Sequence, residues 1–170
     1  MSRFAIREAV LADADEIARV SAESWQSSYR GILPDALLER IDVGRRAVVR
    51  RRLLRDRSIF QLVAYDVTHL DIVGFCDAGA SRREVPYAGE VYEIYLAHRA
   101  KRYGIGQEMF ERVQAWLVRH GLRSMIVWVL EDNHHARRFY EAMGGRPAAR
   151  FRSVVGGTPV IELSYVWDSL

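Results

Sequence analysis

A pair of glycines stands where a strand-like segment gives way to a helix-like one, in the stretch AKRYGIGQEMF. Gly104 and Gly106 follow the run EVYEIYLA and precede apolar residues at helical spacing. The first N–H groups of a helix lack partners within the helix, and the helix dipole favours negative charge there. Glycine lets a ligand approach the backbone, so this turn could bind phosphate, with added charge from Lys101 and Arg102. A plain loop explains the two glycines equally well, and their spacing is neither a Walker A motif nor the full dinucleotide fingerprint.

A second chemical pattern follows one helix and one strand later, in LEDNHHARRFYEAMGG. Residues 133–144 read Asn-x-x-Ala-x-x-Phe-Tyr-Glu-x-x-Gly. With this pattern the sequence resembles the GNAT superfamily of acyl-CoA-dependent N-acetyltransferases. The family's acyl-CoA motif, Arg/Gln-x-x-Gly-x-Gly/Ala, is matched by Lys101, Gly104 and Gly106. The resemblance spans nearly the whole chain in element order, and its specific motifs cover residues 90–145.

Three positions depart from the family pattern. Lys101 replaces the usual Arg or Gln, His98 stands where proline is common, and Gly145 stands where phenylalanine is common. The first departure affects the side-chain contribution to phosphate binding and leaves the backbone contribution intact. The segment SWQSSYRGILPD also resembles the region of the first two helices in many GNAT members, where the acceptor substrate usually docks.

The resemblance implies acetyl-CoA as the acyl donor, coenzyme A as a product and no metal. The pantetheine arm would pair like an extra strand with the splayed central strand, and the N–H groups of residues 102–107 would hold the pyrophosphate. A strand N–H near Leu96 would stabilise the oxyanion of the tetrahedral transition state. The residues expected at the cofactor are Ile94, Tyr95, Leu96, Lys101, Arg102, Tyr103, Gly104, Ile105, Gly106, Gln107, Asn133, Ala136, Phe139 and Tyr140.

Proton transfer needs a general acid and a general base. Tyr140 is the candidate acid for the leaving thiolate, and the competing interpretation is an aromatic ring packed beside Phe139. Glu90 and Glu93 are the candidate bases. Three-residue spacing on one strand predicts that they face opposite sides, so that one of them, with Glu90 preferred, lines the acceptor cleft. Asn133 either hydrogen-bonds the cofactor arm or caps a helix, or does both.

The predicted reaction is acetyl transfer to a primary amine of a small molecule or peptide, by direct attack through a tetrahedral intermediate. Glu90, Trp25 and Tyr29 are the candidate residues at the acceptor, although the two aromatic rings would equally suit core packing. The sequence does not identify the amine, because acceptor specificity is expected to lie in the side chains of loops such as SWQSSYRGIL and SRREVPYAGE. The alternative function is a non-catalytic CoA-binding or protein-interaction module on the same scaffold.

The elements that must position these residues alternate in type along the chain. A strand is followed by helices, two or three antiparallel strands, a strand–helix–strand–helix unit and a closing hairpin. This order predicts an α/β fold of the α+β type. We expect a single mixed, mostly antiparallel sheet of about six or seven strands with helices on both faces. The length suits one domain, residues 1–170.

Composition indicates an ordinary globular protein. The one cysteine, Cys76, cannot form an internal disulfide and is predicted to be a buried small hydrophobe rather than a nucleophile. No apolar run approaches the roughly 18–20 residues of a membrane span, and MSRFAIREAV lacks a secretory apolar region. We therefore expect a cytoplasmic protein with no membrane partner. The adjacent His134 and His135 cannot share a helix face, which argues against a metal site.

Positive charge is concentrated in one segment. The net charge is +3, and residues 45–57 hold seven arginines and one acid. This segment predicts a helix with a solvated basic face, the alternative being a partner or anion patch. Because the basic residues are confined to one helix, we do not expect a nucleic-acid partner. The apolar closing hairpin makes a homodimer conceivable.

Overall fold

Seven strands form one sheet in the computed structural model, which describes residues 3–170. The strands are β1 (Phe4–Glu8), β2 (Phe60–Asp66), β3 (Ile72–Ala80), β4 (Gly89–Leu96), β5 (Met125–Leu130), β6 (Arg146–Val155) and β7 (Thr158–Trp167). Their order across the sheet is β1-β2-β3-β4-β5-β7-β6. The pair β4–β5 is parallel, and the other neighbouring pairs within the described residues are antiparallel. The predicted mixed, mostly antiparallel sheet is confirmed.

Helices cover both faces of this sheet, as predicted. They are α1 (Ala14–Ser28), α2 (Asp35–Glu39), α3 (Val43–Leu53), α4 (Ile105–Arg119) and α5 (His134–Ala142). Alternate residues of a strand point to opposite faces, which divides the core in two. The paired residues Val63 and Phe75 pack with Ile17 of α1, whereas the next pair, Leu62 and Cys76, packs in the cluster that contains the buried side of α4. Among the helices described, none is long and apolar enough to cross a membrane.

Cys76 is fully buried within the second of these clusters. Burial raises the pKa of its thiol, and the negative charges of Asp77 and Glu93 act in the same direction. A thiol of this kind stays protonated and is a poor nucleophile. The interpretation of Cys76 as a small hydrophobic core residue is confirmed.

The arginine-rich helix α3 is not simply a solvated face, because two of its arginines point into the protein. Arg50 is 5% exposed and donates to Gln61 at 3.3 Å, to Glu93 at 2.9 Å and to Asp77. Arg46 donates to the Ser21 hydroxyl at 2.6 Å. Residue counts gave no sign of this burial, since the acids that bind Arg50 lie on β3 and β4. The prediction holds for the outward-facing residues Arg45, Arg52, Arg55 and Arg57.

Gly145, which departs from the family pattern, follows α5 and lies against a tryptophan. A Cβ atom at this position would be 2.7 Å from Cζ2 of Trp167. The indole is fixed there because its Nε1 donates to the backbone oxygen of Met143 at 2.9 Å. The Trp167 ring therefore fills the space beside the backbone and requires glycine at 145.

Candidate active site

The central strand β4 separates from its parallel neighbour β5 partway along its length. The two strands pair at three positions, of which the last joins Val91 and Val127. On the other edge of β4, the register with β3 skips Tyr92, which marks a β-bulge. A bulge bends the strand that contains it, so the remainder of β4 diverges from β5. Residues 94–96 then face a cleft rather than a neighbouring strand, as the family resemblance implied.

The same bulge turns Glu90 and Glu93 to one face of the sheet, which corrects the prediction that they face opposite sides. Their cross-strand partners on β3 are Gly79 and Asp77. These partners are two residues apart and therefore share a face, and directly paired residues also share a face. Three-residue spacing separates side chains only in a regular strand. Both carboxylates consequently line the same cavity.

The turn into α4 presents a row of unpaired backbone donors. The N–H of Lys101 bonds to the oxygen of His98, and the first bond within the helix runs from Glu108 to Gly104 at 3.0 Å. Between them, the six N–H groups of residues 102–107 have no acceptor among the described residues. Arg102 and Gly104 both have positive φ, 69° and 77°, which curls this backbone around its donors. Such a curl is an anion-binding concavity.

Glycine occurs at positions 104 and 106 for different structural reasons. At Gly104 a Cβ atom would meet nothing within 4 Å, so the positive φ is what favours glycine there. At Gly106 a Cβ atom would lie 3.4 Å from the side chains of Leu96 and Phe139, which leaves room for a residue no larger than alanine and agrees with the Gly/Ala of the family motif. Both glycines line a cavity of about 920 Å³ in front of the turn.

All the residues predicted at the cofactor line this cavity or an adjoining one of about 120 Å³. The two cavities adjoin and are together called the cofactor channel, because five residues line both: Leu96, Lys101, Gly106, His135 and Phe139. The prediction missed His135 and Arg138 of α5. Their three-residue spacing puts them on one helix face and could have revealed them. Burial and the positive charges of Lys101, Arg138 and Arg102 lower the pKa of His135, so it is neutral beside the basic groups.

Asn133 lies between β5 and α5, immediately before the first residue of α5, and lines the channel. Its Oδ1 accepts a hydrogen bond from the N–H of Ala136 at 3.2 Å, so it is a helix cap. The side-chain NH₂ makes no bond to any residue in the described part of the chain and lies where the cofactor channel meets the next cavity. The cap leaves these amide donors available to a ligand.

Tyr140 has both a packed aromatic ring and a hydroxyl that faces the cavities. Its ring packs near Phe110, Phe139 and Tyr165, with centroids 5.5 to 6.2 Å away. Its hydroxyl has no hydrogen-bond partner within residues 3–170, and the residue lines both the cofactor channel and the neighbouring cavity. Burial raises the pKa of this hydroxyl well above its usual value, and the nearby Tyr29 adds to the effect. The hydroxyl is therefore protonated at any working pH.

A third cavity, of about 280 Å³, opens on the far side of Tyr140 between the diverging strands. It contains every residue predicted at the acceptor: Trp25, Tyr29 and Glu90, with Glu93 beside them. The Tyr29 hydroxyl lies 3.1 Å from that of Tyr95, and burial raises the pKa of both phenols. This is the position expected of an acceptor site, since it meets the cofactor channel at the end of the splayed strand.

Further residues of this cavity include Arg82 and Arg83, from a loop in which the sequence placed acceptor specificity, and Trp128 and Glu162, which escaped sequence reasoning. Arg82 and Arg83 come from the loop between β3 and β4, Trp128 from β5 and Glu162 from β7. Trp128 and Glu162 share one face because Glu162 pairs with Leu130, two residues from Trp128. No local spacing joins Trp128 and Glu162 to the other residues of the cavity, so a single sequence offered no signal for these two.

Each glutamate of the cavity is paired with an arginine, but to different extents. Glu90 uses both oxygens, one accepting from the guanidinium of Arg82 at 2.7 Å and the other from the Arg82 backbone N–H at 2.8 Å. Glu93 accepts from Arg50 through one oxygen. Glu90 is thus an anchor for the β3–β4 loop, whereas Glu93 keeps one oxygen available.

One group of potential metal ligands occurs among the described residues, and it lies outside these cavities. Asp66, His69 and Asp71 meet at the turn between β2 and β3. Arg3 bonds to Asp66 at 2.9 Å, and Arg99 bonds to Asp71. The arginines already neutralise the two carboxylates, so the group is an ion-pair network around the buried Asp66.

Comparison with known proteins agrees with this geometry. The model of the acetyltransferase (GNAT) family matches residues 19–145. The uncharacterized N-acetyltransferase YuaI of Bacillus subtilis is 30% identical over 166 residues, covering 97% of this chain and 93% of YuaI. The chain belongs to the GNAT acetyltransferase family and is an N-acetyltransferase.

Solved structures show the same fold at lower identity. PaiA N-acetyltransferase from Thermoplasma acidophilum, in complex with coenzyme A, superposes with a TM-score of 0.72 at 18% identity, covering 96% of this chain and 98% of PaiA. YncA from Salmonella typhimurium, with its cofactor acetyl-CoA, gives a TM-score of 0.71 at 19% identity, covering 98% of this chain and 94% of YncA.

Proposed function

We propose that this chain transfers the acetyl group of acetyl-CoA to a primary amine of a small molecule or peptide, by direct attack through a tetrahedral intermediate. The observation that carries the proposal is the row of six unpaired N–H groups at residues 102–107, placed at one end of a channel that runs along a splayed strand to a carboxylate-lined cavity. The proposal treats residues 1–170 as one N-acetyltransferase domain.

Acetyl-CoA is the acyl donor. Its pyrophosphate binds the N–H groups of residues 102–107, and Lys101, Arg102 and Arg138 supply positive charge. Its pantetheine arm adds to the free edge of β4 at residues 94–96, in the manner of an extra strand. A backbone N–H near Leu96 then points at the thioester oxygen, where negative charge develops in the transition state. No residue of the proposed mechanism requires a metal.

The amine attacks the thioester carbon, so that a C–N bond forms and the C–S bond breaks. An alkyl ammonium has a pKa of about 10 and must lose a proton before attack. Glu93 suits this role better than Glu90, because one Glu93 oxygen has no partner among residues 3–170 while both Glu90 oxygens accept hydrogen bonds from Arg82. Tyr140 gives the departing thiolate its proton, because its hydroxyl lies between the two cavities. The nitrogen of the tetrahedral intermediate loses a second proton as the C–S bond breaks, and that proton restores the Tyr140 hydroxyl.

A thiol-release assay with purified protein, acetyl-CoA and a panel of amines tests the function. Thiol release is expected with at least one amine, in proportion to protein concentration. Thermal stabilisation by acetyl-CoA without thiol release from any amine would instead indicate a cofactor-binding module without turnover. A homodimer and a cytoplasmic location stay predictions from the sequence.

A further inference from the structure

Glu162 lines the third cavity, and one of its two carboxylate oxygens accepts no hydrogen bond from the described residues. It is on β7 opposite Leu130, at the open end of the splayed strands, and its side chain is 14% exposed. One oxygen accepts from Arg83 at 2.7 Å. The other oxygen, Oε1, has no partner among the described residues, yet it is not sealed from solvent. A carboxylate buried to this degree is stabilised by further donors, so Oε1 can accept from a ligand.

The carboxylates of the cavity lie deeper than the arginines that pair with them. The side chains of Glu90 and Glu162 are 2% and 14% exposed, against 59% and 39% for Arg82 and Arg83. Glu90 has no oxygen to spare. A ligand inside the cavity therefore meets an accepting carboxylate at Glu162, and the more exposed arginines Arg82 and Arg83 also line the cavity.

The surroundings of Glu162 also suit a cation. The Arg83 guanidinium that pairs with it lies over the Trp128 ring, 4.2 Å from the centroid. The cavity walls add the rings of Trp25 and Tyr29, and the Arg46 guanidinium already lies over Trp25, 4.8 Å from the centroid. Aromatic faces beside a carboxylate attract positive charge, and the lining holds three glutamates against two arginines, which disfavours an additional carboxylate on the ligand.

We propose that Glu162 determines acceptor specificity by binding the ammonium group with which the acceptor enters. The accepted class is then a cationic amine with an apolar or aromatic body, rather than a zwitterionic amino acid. This inference rests on the proposed function, because it assigns the third cavity to the acceptor. Arg83 competes electrostatically with the ammonium for the same carboxylate.

The test measures acetyl transfer and binding for three probes that differ in charge: phenethylamine is cationic, phenylalanine adds a carboxylate to it, and aniline is neutral at neutral pH. The proteins are the wild type, Glu162→Gln and Arg83→Gln. Glu131→Gln is the matched control, because Glu131 pairs with Arg150 at 2.8 Å outside the cavity. Calorimetry of each probe with coenzyme A-saturated protein gives affinities that do not depend on turnover.

The Glu162→Gln substitution should raise KM and Kd for phenethylamine about tenfold, about 1.4 kcal/mol, with kcat within about twofold. Aniline should be unaffected, Arg83→Gln should lower KM for phenethylamine, and the control should match the wild type. Unchanged KM in Glu162→Gln, equal increases in both cavity variants, or a wild-type preference for phenylalanine would overturn the inference. Glu162-dependent binding without turnover of any amine would refute the proposed function while supporting this inference.

Discussion

Substitution of Gly104 separates backbone strain from occlusion of the cofactor cradle. Gly104 has φ of 77°, and a Cβ atom there would meet nothing within 4 Å. A non-glycine residue at such a φ costs about 1–2 kcal/mol in folding stability. Gly104→Ala adds this strain and little else, so its affinity for coenzyme A should stay close to that of the wild type. Gly104→Trp adds the same strain and an indole that enters the 920 Å³ cavity.

The expected loss of affinity follows from the donors that the indole would block. A hydrogen bond to a charged group contributes about 1.5–3 kcal/mol, so losing two of the six N–H contacts costs about 3–6 kcal/mol. That loss corresponds to about 10²–10⁴-fold in Kd. Isothermal titration with coenzyme A measures it directly, and thermal unfolding measures the strain that the two variants share.

Gly121 provides the matched control for this experiment. It also has a positive φ of 79° with nothing within 4 Å of a Cβ atom, but it lies beyond the opposite end of α4. Gly121→Trp should reproduce the loss of stability without the loss of affinity. Gly104→Trp protein that is folded and binds coenzyme A as tightly as Gly121→Trp would refute the cradle.

Three further outcomes are expected. Tyr140→Phe should lower kcat by about 10²–10⁴-fold at unchanged coenzyme A affinity, and unchanged turnover in thiol-release assays would remove Tyr140 from the acid role. Because burial raises the pKa of Tyr140, its ionisation should not lower the kcat of the wild type at alkaline pH. Arg50→Leu should lower the free energy of unfolding in urea by about 3–5 kcal/mol by leaving buried carboxylates unpaired, with partial recovery on adding Asp77→Leu. Asp13→Asn should cost about 1–2 kcal/mol near neutral pH. Burial opposes ionisation of Asp13, but its bonds from Arg7 and a backbone N–H lower its pKa, so this stability is present above pH ~4 and lost as the pH falls further. If the free energy of unfolding changed with pH in the same way in the wild type and in Asp13→Asn, that assignment would be contradicted.

The cofactor channel was predictable because its signals are local in sequence. The N–H groups of residues 102–107 are consecutive, and the run from Asn133 to Tyr140 occupies one helix start. In a strand–Gly-x-Gly–helix segment, the start of the helix sets the direction of these N–H groups, independently of distant parts of the chain. The resemblance to the GNAT family, carried by these local motifs, assigned fourteen residues to the cofactor, and all of them line the channel.

The acceptor cavity was less predictable because distant segments build it. Glu162 and Arg83 meet across 79 positions of the chain, and although Arg83 lies in a loop expected to set acceptor specificity, no pattern marks Glu162. The shared face of Glu90 and Glu93 depends on a bulge at Tyr92, which simple two-residue alternation does not encode. Arg50 was misread for a related reason, since its burial depends on acids supplied by other strands.

The most direct test of the cofactor site is an amide NMR titration of the isotopically labelled protein with coenzyme A. The account predicts the largest shifts at the N–H groups of residues 102–107, where the pyrophosphate binds, with a second set at residues 94–96 along the free edge of β4. Saturable binding that leaves both segments unshifted, or the absence of any shift, would contradict it.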